Sequence, residues 1–542
     1  MKKWLLLLMC LALSLAGVPS VAARGDFLDV MSVAALFPPA EFFVALRADQ
    51  AFAERLDALS VAITAEFAAE RVRLSQLVDA LFGQGIYSLS RLVNARFVAF
   101  SINGVEYLVD AELVNDQRAE LRAVIGHGLG RLGRTILPAL QSLTGLRCQA
   151  EMQQTVCQFE QASIFKTLSI DEQHIVLLSQ PTMPLYPLET LATQPEFTAA
   201  LSALPESMYD GFAFVDTPHL AAGIRYEGIR EMLAALGFPP SQLAAAALGL
   251  RLQSEGLQLD VVQRRLMSPN ISEASLDLNF ARFIPETAAI YLQTRDLSRL
   301  TEIVAGLLGS LSATLSSQEA YTSLRQLFRS LFRLDLESDL LGWAQQSDYA
   351  VFIDAPSSSE GLLFDQLEIG FILSGTDPQR MATVAESIAD GLERQLRNQA
   401  GFTFQRLTLP ALSAPVRQLS YRDPQFGTLA LLIGSTDQFV FFSTARALTY
   451  ILEGRTFEKR LDMARLSRYL LPLPNVLIHA DADNATRFLS ALLETLSRLN
   501  GTPMNNLPAL QADARRFERA VLSVDEGTEA QVRLRLFLLI GN

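Results

Sequence analysis

Residues 204–220 read LPESMYDGFAFVDTPHL, and they contain a pattern that occurs four times in the chain. A proline precedes a short apolar run, an aspartate follows 11 positions after the proline, and helix-forming sequence comes next. A proline ahead of a strand removes no ladder hydrogen bond, and an aspartate before a helix accepts hydrogen bonds from the free N–H groups of its first turn. The prolines are Pro38, Pro205, Pro285 and Pro472, and the pattern predicts structural N-caps at Asp49, Asp216, Asp296 and Asp483.

The order of elements between these junctions predicts the fold class. We expect an α+β protein that is internally duplicated, with antiparallel sheets each covered by helices and four strand–Asp–helix units in two similar halves. The spacing of the junctions divides the chain after the leader into a first long unit, a first short unit, a second long unit and a second short unit. Their expected ranges are 24–200, 201–275, 276–460 and 461–542.

Three segments show how individual elements are predicted. A helix is expected from Pro378, because apolar side chains recur on one stripe with a period of 3.6 residues. A strand is expected over residues 531–540, because polar and apolar side chains alternate from Gln531 to Leu536, which is typical of a strand with one buried face. Residues 116–132, DQRAELRAVIGHGLGRL, are rich in helix formers and are expected to form a helix.

Composition limits the classes of protein that fit. The chain has 542 residues, of which 50% are hydrophobic, with a mean hydropathy of +0.22, so it can form several packed domains. Its formal net charge of −13 repels phosphate backbones and anionic membrane surfaces. Nucleic acid is therefore not an expected partner.

The first residues are typical of an export signal. Lys2 and Lys3 precede an apolar run over residues 4–18, and small residues follow it before a cleavage site expected ahead of Arg24. Residues 1–23 are thus expected to be a secretory signal peptide; an uncleaved anchor is the alternative. No later apolar run reaches the length of a membrane span. We expect a secreted or extracytoplasmic protein of the cell envelope.

Two cysteines remain after the expected leader. Cys148 and Cys157 flank a predicted strand–turn–strand whose centre lies between Met152 and Gln153, so the cysteines should face each other across a hairpin. In an oxidising compartment we expect a disulfide. A pair of free buried thiols is the alternative.

The search for catalytic chemistry yields weak candidates. His479, Asp481 and Asp483 lie on one face of a predicted strand and are the best candidates for a metal site, although the pattern lacks the glycine and distal glutamate of a calcium loop. The sequence GLGRLG at 128–133 matches the dinucleotide fingerprint but would lie at a helix end rather than after a strand. The sequence SIFK at 163–166 lacks the companion motifs of penicillin-recognising enzymes. No catalytic residue and no cofactor are therefore assigned.

Part of the chain resembles a known family. Pro285, the block LDLESDLLGW at 334–343 and the turn at Ser443 are similar to the bacterial family called domain of unknown function 3352, most clearly over residues 283–454. Residues 82–100 lack the acidic block and the tryptophan, so the first half is more divergent. The resemblance implies an exported, mostly bacterial protein and supplies no activity and no functional residues.

These observations leave three hypotheses about function. The first is a non-catalytic exported envelope protein that acts as a scaffold or binds a protein partner. The second is a carrier of an apolar ligand such as a lipid, which a large apolar cavity would favour. The third is a carboxylate- or metal-dependent hydrolase.

Overall fold

The computed structural model describes the chain in segments. The described residues are 27–49, 52, 95–104, 119–127, 130, 146–150, 154–159, 165–218, 243–253, 255–265, 275–295, 317–341, 347–354, 362–409, 412, 415–460, 466–488, 490, 517–526 and 531–540. The predicted signal peptide lies outside these residues, as do Asp296 and Ser163.

Twenty strands are described. They are β1 Phe42–Arg47, β2 Ala95–Asn103, β3 Glu120–His127, β4 Leu146–Ala150, β5 Thr155–Phe159, β6 Thr167–Ile170, β7 His174–Leu178, β8 Gly211–Asp216, β9 Leu243–Gln253, β10 Gly256–Arg265, β11 Ala288–Thr294, β12 Tyr349–Asp354, β13 Glu368–Ser374, β14 Phe402–Leu407, β15 Val416–Asp423, β16 Gly427–Ser435, β17 Phe439–Thr444, β18 Val476–Asp481, β19 Phe517–Asp525 and β20 Gln531–Ile540.

The helices with defined bounds are fewer. They are α1 Val30–Ala34, α2 Pro195–Ala203, α3 Ser317–Phe332, α4 Leu363–Gln366, α5 Pro378–Leu396, α6 Ala445–Leu452 and α7 Phe457–Arg460, with 3₁₀ turns at Leu191–Thr193 and Leu278–Phe283 and a π-helical turn at Leu336–Leu341. Among the described residues, no helix is both long and apolar enough to cross a membrane.

All the described strands belong to one antiparallel sheet. From one edge to the other, the order is β4-β5-β6-β7-β3-β2-β1-β8-β9-β10-β20-β19-β18-β11-β12-β13-β17-β16-β15-β14. The strands β10 and β20 are neighbours in the middle of this order, although about half the chain separates them. Each of the four expected units contributes strands to the sheet, and their boundaries stay a prediction.

The predicted fold class is wrong. We expected an α+β protein of separate antiparallel sheets, each covered by helices, in two duplicated halves, whereas the structure is dominated by strands that form a single 20-stranded sheet. Pairing between strands distant in sequence decides whether several sheets or one will form, and local periodicity carries no information about that pairing.

The predicted helix over residues 116–132 is also wrong in its described part, because residues Glu120–His127 form β3. Six of its eight residues are buried against neighbouring strands, and such packing overrides the helix propensity of Ala, Glu, Leu and Arg. In contrast, the helix from Pro378 and the strand over 531–540 are confirmed by α5 and β20.

Helices pack against the sheet at different places. Helix α2 lies against β8, β9 and β10, and Phe197 on α2 contacts the rings of Phe43, Phe212 and Phe214 at centroid distances of 5.2–5.9 Å. Helix α5 lies against β15, β16 and β17. The aromatic cluster fixes α2 over the sheet, and the loop that follows α2 then borders the candidate site.

Candidate functional site

An open apolar groove lies between the first described residues, α2 and the loop after α2. Its volume is about 1010 Å³, near the upper end of the range for small-molecule sites. The apolar part of its wall includes Phe27, Leu28, Met31, Leu201, Leu204 and Met208. We call it the Met208 groove. Met31 and Met208 remain 42% and 48% exposed, so the groove presents flexible apolar side chains to its contents.

Backbone pairing holds one wall of the groove in place. The N–H of Leu28 donates to the carbonyl oxygen of Tyr209 at 3.1 Å, so residues far apart in the sequence form a short antiparallel bridge. Asp29 caps α1 by accepting from the backbone N–H of Ser32 at 3.1 Å and from its hydroxyl at 2.6 Å. Hydrogen bonds from the Ser32 side chain and backbone lower the pKa of Asp29, which is therefore ionised at neutral pH.

Tyr209 forms the floor of the groove. Its hydroxyl donates to Asp260 Oδ2 at 2.9 Å and accepts from the backbone N–H of Glu206 at 3.0 Å. A Cβ at Gly249 would lie 2.3 Å from the Tyr209 ring, so only glycine permits the ring to lie flat on the sheet there. Burial, reinforced by the charge of Asp260, raises the pKa of Tyr209, and its phenol stays neutral.

Two arginines that are not part of the groove lining compensate the charge of Glu206. Its carboxylate lies 2.9 Å from Nη2 of Arg535 and 3.5 Å from Nη1 of Arg251. Among the described residues that line the groove are the carboxylates of Asp29 and Glu206, but neither lysine nor arginine. The groove is thus suited to apolar contents, and the two arginines beside it are already paired with Glu206.

A second cavity of about 480 Å³ adjoins the groove and shares Phe27, Leu28 and Asp29 with it. We call it the Arg96 pocket. Its other lining residues are Ser32, Val33, Leu36, Arg47, Asp49, Arg96, Phe97 and His174. The strand register aligns Gly126 with His174, and a Cβ at Gly126 would lie 2.2 Å from the Phe97 ring, so a glycine lets the ring pack on β3 beside the histidine.

Asp171 orients His174 from outside the pocket. Its carboxylate accepts from the backbone N–H groups of Gln173 and His174 at 2.7 Å each and from the hydroxyl of Tyr186 at 3.2 Å. Nδ1 of His174 lies 3.6 Å from Asp171 Oδ2. Burial would raise the pKa of Asp171, but the hydrogen bonds from His174 and Gln173 outweigh it and hold that pKa far below its usual range.

The structure brings together two histidines that are distant in the sequence. The N–H of His127, at the end of β3, donates to the carbonyl oxygen of Gln173 at 2.7 Å, and Asp171 acts electrostatically on both His127 and His174. Burial lowers the pKa of His127, and Asp171 partly opposes that effect. Sequence spacing gave no indication of this cluster.

The predicted disulfide is present. Cys148 on β4 and Cys157 on β5 are register partners, and they are bonded with a Cα–Cα distance of 4.0 Å.

The four predicted N-cap positions have different surroundings. Asp49 Oδ1 accepts from the backbone N–H of Phe52 at 3.0 Å, and Asp216 is the last residue of β8, ahead of a helical turn. In the fourth copy, Asp481 accepts from the N–H of Asn484 at 2.9 Å, whereas Asp483 lies in the first helical turn, 3.1 Å from Arg487. Asp296 lies outside the described residues, and its role stays a prediction.

The three candidate metal ligands have separate environments. His479 is buried between the rings of Tyr291 and Phe457, at centroid distances of 5.7 and 4.6 Å. Asp481 is buried and bonded to the helix start, and Asp483 is exposed. Within the part of the chain that the structure describes, no group of three or more His, Cys, Asp or Glu side chains is placed to hold a metal ion.

The context of the glycine-rich motif differs from the expected one. We expected the motif to lie at the end of a helix, which would argue against a dinucleotide site. That expectation was wrong, because the stretch before Gly128 is strand β3. A dinucleotide fingerprint also requires a parallel βαβ unit. Strand β3 pairs antiparallel with both β2 and β7, so this requirement is not met.

Comparison with known proteins identifies the family. The family model described as "Protein of unknown function (DUF3352)" matches residues 186–512, more than half of the chain. The chain belongs to this family. The match confirms the resemblance inferred from the sequence and extends it on both sides of residues 283–454. The DUF3352 region includes α2 and the loop after α2, whereas the strands that line the Arg96 pocket precede it.

The other two comparisons add little. Three solved structures, crystal forms IV, I and III of TP0453, match at 10%, 11% and 12% identity with TM-scores of 0.26, 0.22 and 0.22. The matches cover 44%, 48% and 50% of this chain and 83%, 84% and 90% of the other. We base no conclusion on similarity of this size. No curated protein matches the sequence.

Proposed function

We propose that this DUF3352 protein is a non-catalytic extracytoplasmic protein that binds an apolar ligand, such as a lipid chain, in the Met208 groove. The observation that carries the proposal is the groove itself, an apolar cleft of about 1010 Å³. A large apolar cavity distinguishes a ligand carrier from a scaffold whose interior is filled.

The chemistry of the walls supports an apolar chain as the ligand. Met31, Met208 and Leu204 supply unbranched or flexible apolar surface, which adapts to chains of different shape. Each CH₂ group removed from water contributes about 0.8 kcal/mol, so partial burial of a long chain is sufficient for stable binding. Asp29 and Glu206 already have hydrogen-bonding or ionic partners and do not require the ligand to neutralise them.

An extracytoplasmic location is supported by two features. The Cys148–Cys157 disulfide suits an oxidising compartment. Residues 1–23 carry the charge and hydropathy pattern of a signal peptide.

Protein-partner binding is the second candidate. Arg122 donates to the carbonyl oxygens of Pro184 at 2.8 Å and Leu185 at 2.5 Å, which fixes a loop after β7. On this loop Tyr186 is 60% exposed and Leu188 is fully exposed, as expected of side chains that contact another protein.

The test begins with native mass spectrometry of the mature chain purified from its own envelope, followed by titration with a C16 alcohol. We expect a reproducible extra mass and saturable binding. Met208→Glu should weaken alcohol binding by about tenfold or more, because the new charge must be desolvated. Leu188→Glu makes the same change at an exposed apolar residue outside the groove and should leave affinity unchanged. A bare-chain mass together with no alcohol binding would reject the proposal in favour of the partner-binding role.

A further inference from the structure

We infer that the ligand is an amphipathic acid whose anionic head group is bound in the Arg96 pocket while its apolar chain occupies the Met208 groove. This inference rests on the proposed function and specifies the class of ligand. The shared chemistry of the head group is a carboxylate or phosphate that accepts hydrogen bonds from Arg96, beside the ring of His174.

The two cavities are placed for one ligand to use both. They share Phe27, Leu28 and Asp29, so this segment forms the boundary between them. The described lining residues of the groove include no cationic side chain, whereas those of the Arg96 pocket include two arginines and a histidine. The groove therefore suits an apolar chain, and the Arg96 pocket suits an anionic head group.

Arg96 is the cationic side chain of the pocket that is available to a ligand. Among the described residues, no hydrogen bond or ion pair engages its exposed guanidinium group. The neighbouring Arg47 differs, because it is bound to Asp49 at 2.6 Å and to the buried Asp210 at 3.0 Å. A guanidinium group presents paired N–H donors whose geometry matches a carboxylate or phosphate, so Arg96 is suited to recognise such a group.

His174 presents its second ring nitrogen to the pocket at a fixed orientation. Its Nδ1 faces Asp171 and its ring lies beside Phe97, with a centroid distance of 6.2 Å. Within the described part of the chain, Nε2 of His174 has no partner. With the Nδ1 proton directed at Asp171, Nε2 of the neutral ring is an acceptor, and it donates to an anion only when the ring is protonated.

The two acids of the pocket do not compete for the N–H donors of Arg96. Asp29 accepts from the backbone and the hydroxyl of Ser32, and Asp49 accepts from Arg47 and from the N–H of Phe52. The net charge of −13 still repels anions at long range. The acid must therefore be recognised by short-range contacts within the pocket.

The test compares a C16 fatty acid with the C16 alcohol of equal chain length at pH 8, using the full mature chain. We expect the acid to bind at least about tenfold more tightly, in the range of a charge-assisted hydrogen-bond pair. Arg96→Gln should remove this preference without changing the affinity for the alcohol. Arg329→Gln, which alters an exposed arginine on α3, is the matched control and should change neither affinity.

The outcomes separate the inference from the proposed function. If acid and alcohol bind equally to the wild type, or if Arg96→Gln leaves the acid affinity intact, the inference is wrong. Binding of an apolar chain in the Met208 groove would then still be supported. If neither chain binds, the proposed function itself fails. Inorganic phosphate that displaces the acid but not the alcohol supports a head-group site. Phosphate binding without binding of either chain overturns the inference, because the pocket would then accept a free ion only.

Discussion

Arg535 on β20 and Asp260 on β10 are register partners, and they form a two-point ion pair in the middle of the sheet. The Nε–Oδ1 and Nη2–Oδ2 distances are 2.7 and 3.0 Å, and both side chains are buried. The same carboxylate accepts from Tyr209 on the floor of the Met208 groove. The ion pair thus connects the pairing of β10 with β20 to the candidate site.

Asp260→Asn should destabilise the protein strongly. The change leaves the buried guanidinium of Arg535 with Glu206 as its remaining carboxylate, and breaking one side of a buried pair costs about 3–5 kcal/mol. Urea unfolding monitored by circular dichroism measures the loss. Arg397→Gln removes an exposed arginine from its i,i+4 pair with Glu393, which keeps Arg417 as a partner, and should cost less than about 1 kcal/mol. Equal losses for the two variants would contradict the importance assigned to the central pair.

Gly249→Ala should damage both stability and ligand binding. The new methyl group would lie 2.3 Å from the Tyr209 ring, so the ring must tilt away from the sheet and weaken its bond to Asp260. Overpacking of this kind costs about 1–3 kcal/mol. Alcohol affinity and the urea midpoint should fall together. Ala245→Gly, on the same strand, removes a buried methyl group without touching Tyr209 and serves as the control for binding. Unchanged alcohol affinity in Gly249→Ala would show that the floor of the groove is not used.

Local elements were predictable from the sequence, but their assembly was not. The stripe on α5 and the alternation on β20 can each be read from the sequence of a single element. The step from many strands to one sheet depends on pairs such as β10 with β20, whose partners no local pattern specifies. The same reason explains β3, where buried neighbours on both sides impose a strand on helix-forming residues.

The candidate site was missed for a related reason. Leu28 meets Tyr209 across an isolated bridge, and Arg96 reaches His174 through the pairing of β2 with β3 and β3 with β7. Each of these residues looks ordinary in its own segment. The disulfide was predictable because both cysteines lie in one short hairpin, where the turn position alone fixes which residues face each other.

Reduction of the Cys148–Cys157 bond should lower stability modestly. The sequence separation is 9, and closing a loop of that length in the unfolded chain corresponds to about 2–3 kcal/mol. Urea unfolding with and without a thiol reductant measures the difference. The Cys148→Ser/Cys157→Ser variant should match the reduced wild type and show no response to the reductant. A response in that variant would assign the effect to something other than this bond.

Asp348 should make the protein less stable as the pH rises from 3.8 to about 6. Burial raises the pKa of Asp348 to about 6, against an ordinary value of 3.8, although hydrogen bonds from the Asp277 N–H and the Gln293 amide and the nearby charge of Arg295 oppose the shift. Between pH 3.8 and about 6 the folded chain therefore retains a proton that the unfolded chain has released. The free energy of unfolding should decrease across this window, by up to about 3 kcal/mol at 1.36 kcal/mol per pKa unit.

Asp348→Asn tests this assignment, because the amide oxygen can still accept the two hydrogen bonds but no longer titrates. Urea unfolding from pH 4 to pH 7 should show a shallower pH dependence, with the variant near wild-type stability at pH 4 and more stable than the wild type at pH 7. Glu453→Gln, at an exposed carboxyl on the end of α6, is the matched control and should leave the wild-type slope in place. A variant that is destabilised equally at both pH values would mean that Asp348 is ionised in the folded protein throughout, and that Arg295 outweighs the effect of burial.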